Sequence, residues 1–146
     1  MAVVGIDPNV LIAMASKRDT HHEAGRAIVE GIDDRIDDGE LPTAQVTNYV
    51  IAEVLNFIHE RHTHTFALDT YRRLEGSAGF EIVHAAKTDY TTAVDLFETY
   101  ERLSFVDATI AAYLFREDVE YLYSFDDDFD TLDDLSRLDV ATNPFG

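Results

Sequence analysis

The chain has 146 residues, 46% of them apolar, and no cysteine. That is enough to bury a core as one domain spanning 1–146, and it excludes a disulfide framework or a thiolate zinc site. The formal net charge of −18 comes from 29 acidic against 11 basic residues; it excludes a broad basic face for nucleic acid, so any such contact must use local arginines and metal ions.

Residues 2–6 form an apolar run without helical periodicity, which predicts a buried strand. Asp7-Pro8 ends it, and Pro8 suits the first position of a helix through Ala15. After a loop at Lys17–Thr20, a helix is expected from His21 to Ile36, stopped by Asp37-Asp38-Gly39. Leu41–Thr43 is expected to be an extended connection, at most a brief edge strand because of Pro42. Helices are then expected over Gln45–His59 and Thr65–Leu74, a strand over Phe80–His84, and helices over Lys87–Leu103 and Phe105–Phe115. A strand at Tyr121–Ser124 and a last short one at Leu138–Ala141 complete the order. Strands alternating with helices imply an α/β fold, with a parallel sheet covered on both faces. Sites in such sheets lie beyond the carboxyl ends of the strands, where Asp7 and Asp126 fall.

No basic leader precedes Val3, Val4 and Ile6, so a cytoplasmic location is expected. No apolar run nears the roughly 20 residues of a membrane span, and no membrane contact is expected. The lysines are Lys17 and Lys87 alone. Acidic, lysine-poor composition suits a salt-rich, halophilic cytoplasm, because at 1 M salt charge repulsion is screened within about 3 Å.

Four carboxylates sit in apolar surroundings. Asp7 follows Val3-Val4-Gly5-Ile6, Glu53 lies between Tyr49-Val50-Ile51-Ala52 and Val54-Leu55, Asp107 between Phe105-Val106 and Ala108-Thr109-Ile110, and Asp126 after Tyr121-Leu122-Tyr123-Ser124-Phe125. Carboxylates are seldom buried without a partner or a metal. Several that converge repel one another, and a hard divalent cation such as Mg²⁺ or Mn²⁺ resolves the conflict. Each residue also has a plainer role. Asp7-Pro8 makes a helix N-cap, Ser104-Phe105-Val106-Asp107 a capping box, Glu53 the wet edge of a helix stripe, and Asp126 a solvated turn with Asp127, Asp128 and Asp130. The plain account needs four explanations and the metal account one.

Asp7-Pro8-Asn9-Val10-Leu11-Ile12, Glu53-Val54-Leu55-Asn56, Leu103-Ser104-Phe105-Val106-Asp107-Ala108 and Tyr123-Ser124-Phe125-Asp126-Asp127-Asp128-Phe129 together resemble, in order, the motifs of PIN domains, and above all of VapC-type toxins. The resemblance implies a three-layer α/β/α fold with a central parallel sheet and Mg²⁺- or Mn²⁺-dependent RNA cleavage. It also implies homodimerisation and neutralisation by a small antitoxin. By position it assigns Asp7, Glu53, Asp107 and Asp126 as catalytic and metal-binding residues, with Asn9 supporting the first aspartate and Ser124 preceding the last. Pro8 departs from the Thr or Ser common at that position and removes a hydroxyl and a backbone donor.

Other signals fail. Asp126, Asp128 and Asp130 start like an EF-hand loop, but Thr131 stands at its glycine and Arg137 at its closing Glu. His59-Glu60-Arg61-His62 is one residue short of a helical zinc motif. Arg18, Arg26, Arg61, Arg72, Arg73 and Arg116 are candidates for RNA phosphate, each competing with a partner on the acidic surface. A phosphoryl-transfer fold with Asp7 or Asp126 as nucleophile needs a late lysine, and none follows Lys87. A housekeeping RNA-processing nuclease and a non-catalytic binding module remain as alternatives to a toxin.

Overall fold

A computed structural model describes residues 2–33 and 40–146. Its elements are β1 (Val3–Ile6), α1 (Pro8–Ala15), α2 (His22–Ile32), β2 (Thr43–Thr47), α3 (Asn48–Arg61), α4 (His64–Gly76), β3 (Phe80–Val83), α5 (Lys87–Thr99), α6 (Phe105–Arg116), β4 (Tyr121–Tyr123) and β5 (Ser136–Leu138). A 3-10 turn spans Asp127–Thr131 between the last two strands.

All five strands are parallel, in the order β3-β2-β1-β4-β5. The chain therefore winds outward from β1 to β3 and then returns to the other side of β1. Right-handed crossovers put the helices of the two halves on opposite faces, giving the expected α/β/α layering. The winding reverses between β1 and β4, where Gly5 pairs with Leu122 and Ile6 with Tyr123. Reversal of direction opens a crevice at the carboxyl ends of those two strands.

The sheet is apolar because both faces are covered. Val4, Ile6, Ala44, Val46, Leu122 and Tyr123 are essentially inaccessible. A Cβ at Gly5 would stand 2.8 Å from the Leu114 side chain, so α6 lies directly on β1. A Cβ at Gly25 would meet the Val10 carbonyl at 2.9 Å, so only glycine lets α2 approach α1 this closely.

Three boundaries differ from expectation. Residues 43–47 form an interior strand, not an edge connection running into a helix from Gln45. Pro42 precedes the first paired residue, so the ladder loses no donor. Val46 faces the core of the sheet, and Gln45 receives a hydrogen bond from the Tyr113 hydroxyl at 3.1 Å. The helix begins only after Thr47, whose hydroxyl accepts the Val50 N–H. The last strand is Ser136–Leu138, not Leu138–Ala141: Leu135 is buried while Val140 is 55% exposed. Helix α5 stops at Thr99, short of Leu103. Helix α2 closes at Ile32, and its expected continuation to Ile36 with the stop at Asp37-Asp38-Gly39 lies outside the described residues.

Buried charge outside the crevice is paired. Asp89, 2% exposed, receives two hydrogen bonds from Arg116 at 2.7 and 3.0 Å, and the guanidinium holds its pKa below the ordinary value despite burial. Asp33 is held by Arg73 at 3.4 Å and Ser77 at 3.1 Å. Arg26 pairs with Glu30. Three of the arginines considered for phosphate are thus engaged with carboxylates.

With 29 acidic residues against 11 basic ones, repulsion outweighs these pairs. The melting temperature is expected to rise by about 10 °C or more between ~0.1 M and ~2 M KCl, equivalent to roughly 3 kcal/mol. Thermal melts decide it; a flat or falling trend would show that the acidic surface is no salt adaptation. No described helix is long and apolar enough to cross a membrane.

Candidate active site

The crevice between β1 and β4 is built from strand ends and helix starts. Asp7 immediately follows β1, and its N–H donates to the Tyr123 carbonyl at 3.0 Å, extending the ladder by one residue. It then N-caps α1: Oδ1 accepts the Asn9 N–H at 3.3 Å, with Pro8 in the first turn. Oδ2 accepts the hydroxyl of the fully buried Ser124 at 2.6 Å. The Ser124 Oγ in turn accepts the Asp126 N–H at 3.0 Å. Asn9 Oδ1 accepts the Phe125 N–H at 3.3 Å. One short polar chain thereby ties the end of β1 to the segment leaving β4.

Asp107 enters on the first turn of α6 in the expected capping box. Its Oδ2 accepts the Ser104 N–H at 3.2 Å, while its own N–H donates to Ser104 Oγ at 3.2 Å. Asp126 caps the 3-10 turn through Oδ1, which accepts the Asp128 N–H at 2.9 Å. Glu53 reaches in from α3 and is the most exposed of the four.

The electrostatics show which charges lie close. Asp7, 4% exposed, has a pKa pushed from 3.8 to about 7, chiefly by burial. Its bonds from Ser124 and Asn9 oppose the rise, while the charges of Asp107 and Asp126 add to it. Asp107, 7% exposed, is raised to about 6 by burial, against its bonds with Ser104, with Asp126 and Glu53 adding repulsion. Asp126 is raised by burial first and by the charges of Asp128 and Asp127 after it. Glu53 is raised by burial. Asp7, Asp107 and Asp126 thus lie within electrostatic reach of one another, and Glu53 within reach of Asp107, although three of the four also cap helices.

Among the described residues, the group whose carboxylate oxygens lie within 4.8 Å of one another is Asp126, Asp127 and Asp128, which takes in Asp126 alone of the four predicted residues. Two arginines that sequence reasoning passed over brace this turn. Arg102 bonds Asp128 at 2.8 Å and Asp127 at 3.2 Å, and Arg137 bonds Asp130 at 2.9 and 3.1 Å. Only the excess of acid around Asp126 hinted that cations would be drawn there. His21 immediately precedes α2, its side chain makes no cap hydrogen bond, and its ring stacks on Phe125 with centroids 4.5 Å apart.

An all-oxygen donor set, partly buried and mutually repulsive, is the chemistry that suits a hard divalent cation. Asp7, Glu53, Asp107 and Asp126 are the residues that could hold one.

The family model of the PIN domain matches residues 4–135. No curated protein matches the chain. Among solved structures, the sarcin–ricin loop cleaving toxin VapC20 of Mycobacterium tuberculosis is similar with a TM-score of 0.72 and 20% identity, over 88% of this chain and 93% of that one. VapBC-1 from nontypeable Haemophilus influenzae gives 0.64 and 14%, over 94% and 97%. A toxin–antitoxin complex from Klebsiella pneumoniae gives 0.62 and 19%, over 91% and 95%. At these identities the structures speak for the fold, while the family match runs from within β1 through β4 and the 3-10 turn and takes in all four carboxylates: the chain belongs to the PIN-domain family.

Proposed function

We propose that the chain is a divalent-metal-dependent RNA endonuclease, with Asp7, Glu53, Asp107 and Asp126 as its catalytic and metal-binding residues. The observation that carries this reading is the pair of buried carboxyls, Asp7 and Asp107, raised to about 7 and 6 beside two further acids at the winding reversal. A bound Mg²⁺ or Mn²⁺ would supply an activated water and charge neutralisation on the phosphate.

The protein's own groups do the rest. Ser124 donates to Asp7 Oδ2 and so fixes the plane of that carboxylate, leaving its outer lone pairs for ligation. The capping box occupies Oδ2 of Asp107 and leaves Oδ1 to accept the proton of the attacking water. The first turn of α6 presents backbone N–H groups that favour a phosphate oxygen.

The test is cleavage of structured and unstructured RNA across a Mg²⁺ and Mn²⁺ titration, with chelator as control. Cleavage is expected to require either ion and to stop with chelator. Metal uptake without any cleavage would leave a binding module instead, and chelator-resistant cleavage would sink the metal role.

Toxin is favoured over housekeeping nuclease because the matched structures include toxin–antitoxin complexes. A small antitoxin is therefore the proposed protein partner, and a homodimer the proposed assembly. A short neighbouring reading frame encoding a DNA-binding protein would support the toxin assignment.

A further inference from the structure

We propose that the stacked rings of His21 and Phe125 form a platform that receives a nucleobase of single-stranded RNA beside the carboxylates. The proposal rests on the nuclease reading and adds to it how the strand is held.

The two rings lie nearly parallel, at 10°, with centroids 4.5 Å apart. Backbone bonds hold the two segments that carry the rings, and the rings hold each other by stacking. The His21 N–H donates to Asp19 Oδ1 at 2.8 Å, and the His22 N–H to the Asp19 carbonyl at 3.0 Å. A His22 ring nitrogen pairs with the Ala13 carbonyl at 2.8 Å, pinning the start of α2 to the end of α1. Phe125 is held by Asn9 and stands between Ser124, which bonds Asp7, and Asp126 itself. His21 is exposed while Phe125 is half-buried. The imidazole stacks on Phe125, the residue before Asp126, and the exposure of His21 leaves part of the ring to meet a base.

Charge explains why stacking should matter here. The chain carries −18, and the arginines flanking the acidic turn, Arg102 and Arg137, are committed to Asp127, Asp128 and Asp130. Phosphate contacts at such a surface are weak, and they weaken further with salt. Stacking involves no net charge, survives salt, and accepts any base because every base has a π-face. The plainer alternative is that His21 merely shields Phe125 from water. In that case its outer face would touch nothing in the complex.

The test uses the whole chain and a short single-stranded RNA with 2-aminopurine placed at each position in turn, in chelator and ~1 M KCl. One position is expected to be quenched on binding. His21→Ala is expected to weaken binding about tenfold and abolish that quench, and His21→Phe to restore both, in variants whose melting temperatures match the parent. With Mg²⁺ or Mn²⁺ present, the same loss should fall on KM and not on kcat. No quench at any position, a quench unchanged in His21→Ala, or no rescue by His21→Phe overturns the platform. Quenched binding by a chain that cuts no RNA would sink the nuclease reading and keep the platform; cleavage with KM unchanged in His21→Ala would do the reverse.

Discussion

Asp7→Asn is expected to lower RNA cleavage by at least a hundredfold, on the order seen when a preorganised charge is removed at a reacting phosphate or carbonyl. The substitution is nearly isosteric. The single amide oxygen can take over only one of the two acceptor positions, Oδ2 facing the Ser124 hydroxyl or Oδ1 facing the Asn9 N–H, so one link of the polar chain is lost while the other persists. What disappears is a negative charge where the proposed cation would be held. Asp107→Asn should act similarly and with less disturbance, because Oδ2 alone accepts the Ser104 N–H and the amide oxygen can take its place in the capping box. Single-turnover cleavage with saturating Mn²⁺ checks both. Undiminished cleavage by either variant would remove that residue from the mechanism.

The same substitution should stabilise the metal-free protein at alkaline pH. In the unfolded chain Asp7 loses its proton near its ordinary value of 3.8, whereas in the fold it keeps it to about 7. Between these values the folded state binds the extra proton. The contribution of Asp7 to stability is therefore complete below about pH 4 and is lost as pH rises through 7. Asparagine has no such titration. Stability curves of the two proteins in ~1 M KCl should run parallel near pH 4 and separate above it, with the variant ahead at pH 8 by on the order of 2–4 kcal/mol. Millimolar Mg²⁺ should reverse the order, since the cation stabilises only the chain that binds it. Equal stabilities at pH 8 without metal would show that the Asp7 carboxylate is not held under repulsion and burial in the fold.

The parts of this fold that were legible before the structure are those where one physical signal dominates. Val3–Ile6 and Tyr121–Tyr123 carry apolar and aromatic residues because both faces of the sheet are covered, and each is followed directly by a polar residue, Asp7 and Ser124. Ser104 and Asp107 announce the start of α6 because their reciprocal bonds require that spacing. Strand β2 was hidden for the opposite reason. Thr43, Gln45 and Thr47 are polar, and Gln45 is tolerated in mid-sheet only because Tyr113, sixty-eight positions away, donates to it. The bracing of Asp128 by Arg102 and the stacking of His21 on Phe125 are likewise meetings of distant segments. No local pattern encodes them. The apolar settings of Asp7 and Asp107 were visible, and both are buried; the order in which burial and neighbouring charges act on them was not.

Because β1 lies between β2 and β4, the first strand made is finished as a binding edge only by one of the last. During synthesis a nascent chain ending before residue 104 has Asp7 and Glu53 but neither Ser124 to orient Asp7 nor the charges of Asp107 and Asp126. Folding proceeds from the N-terminus as residues emerge at about 5–20 per second, so several seconds separate the appearance of the first acid from assembly of all four. On the proposed nuclease reading the chain would be made on the kind of molecule it cuts, and spreading its acids across the whole topology would leave each partial product without the complete set until synthesis is nearly over.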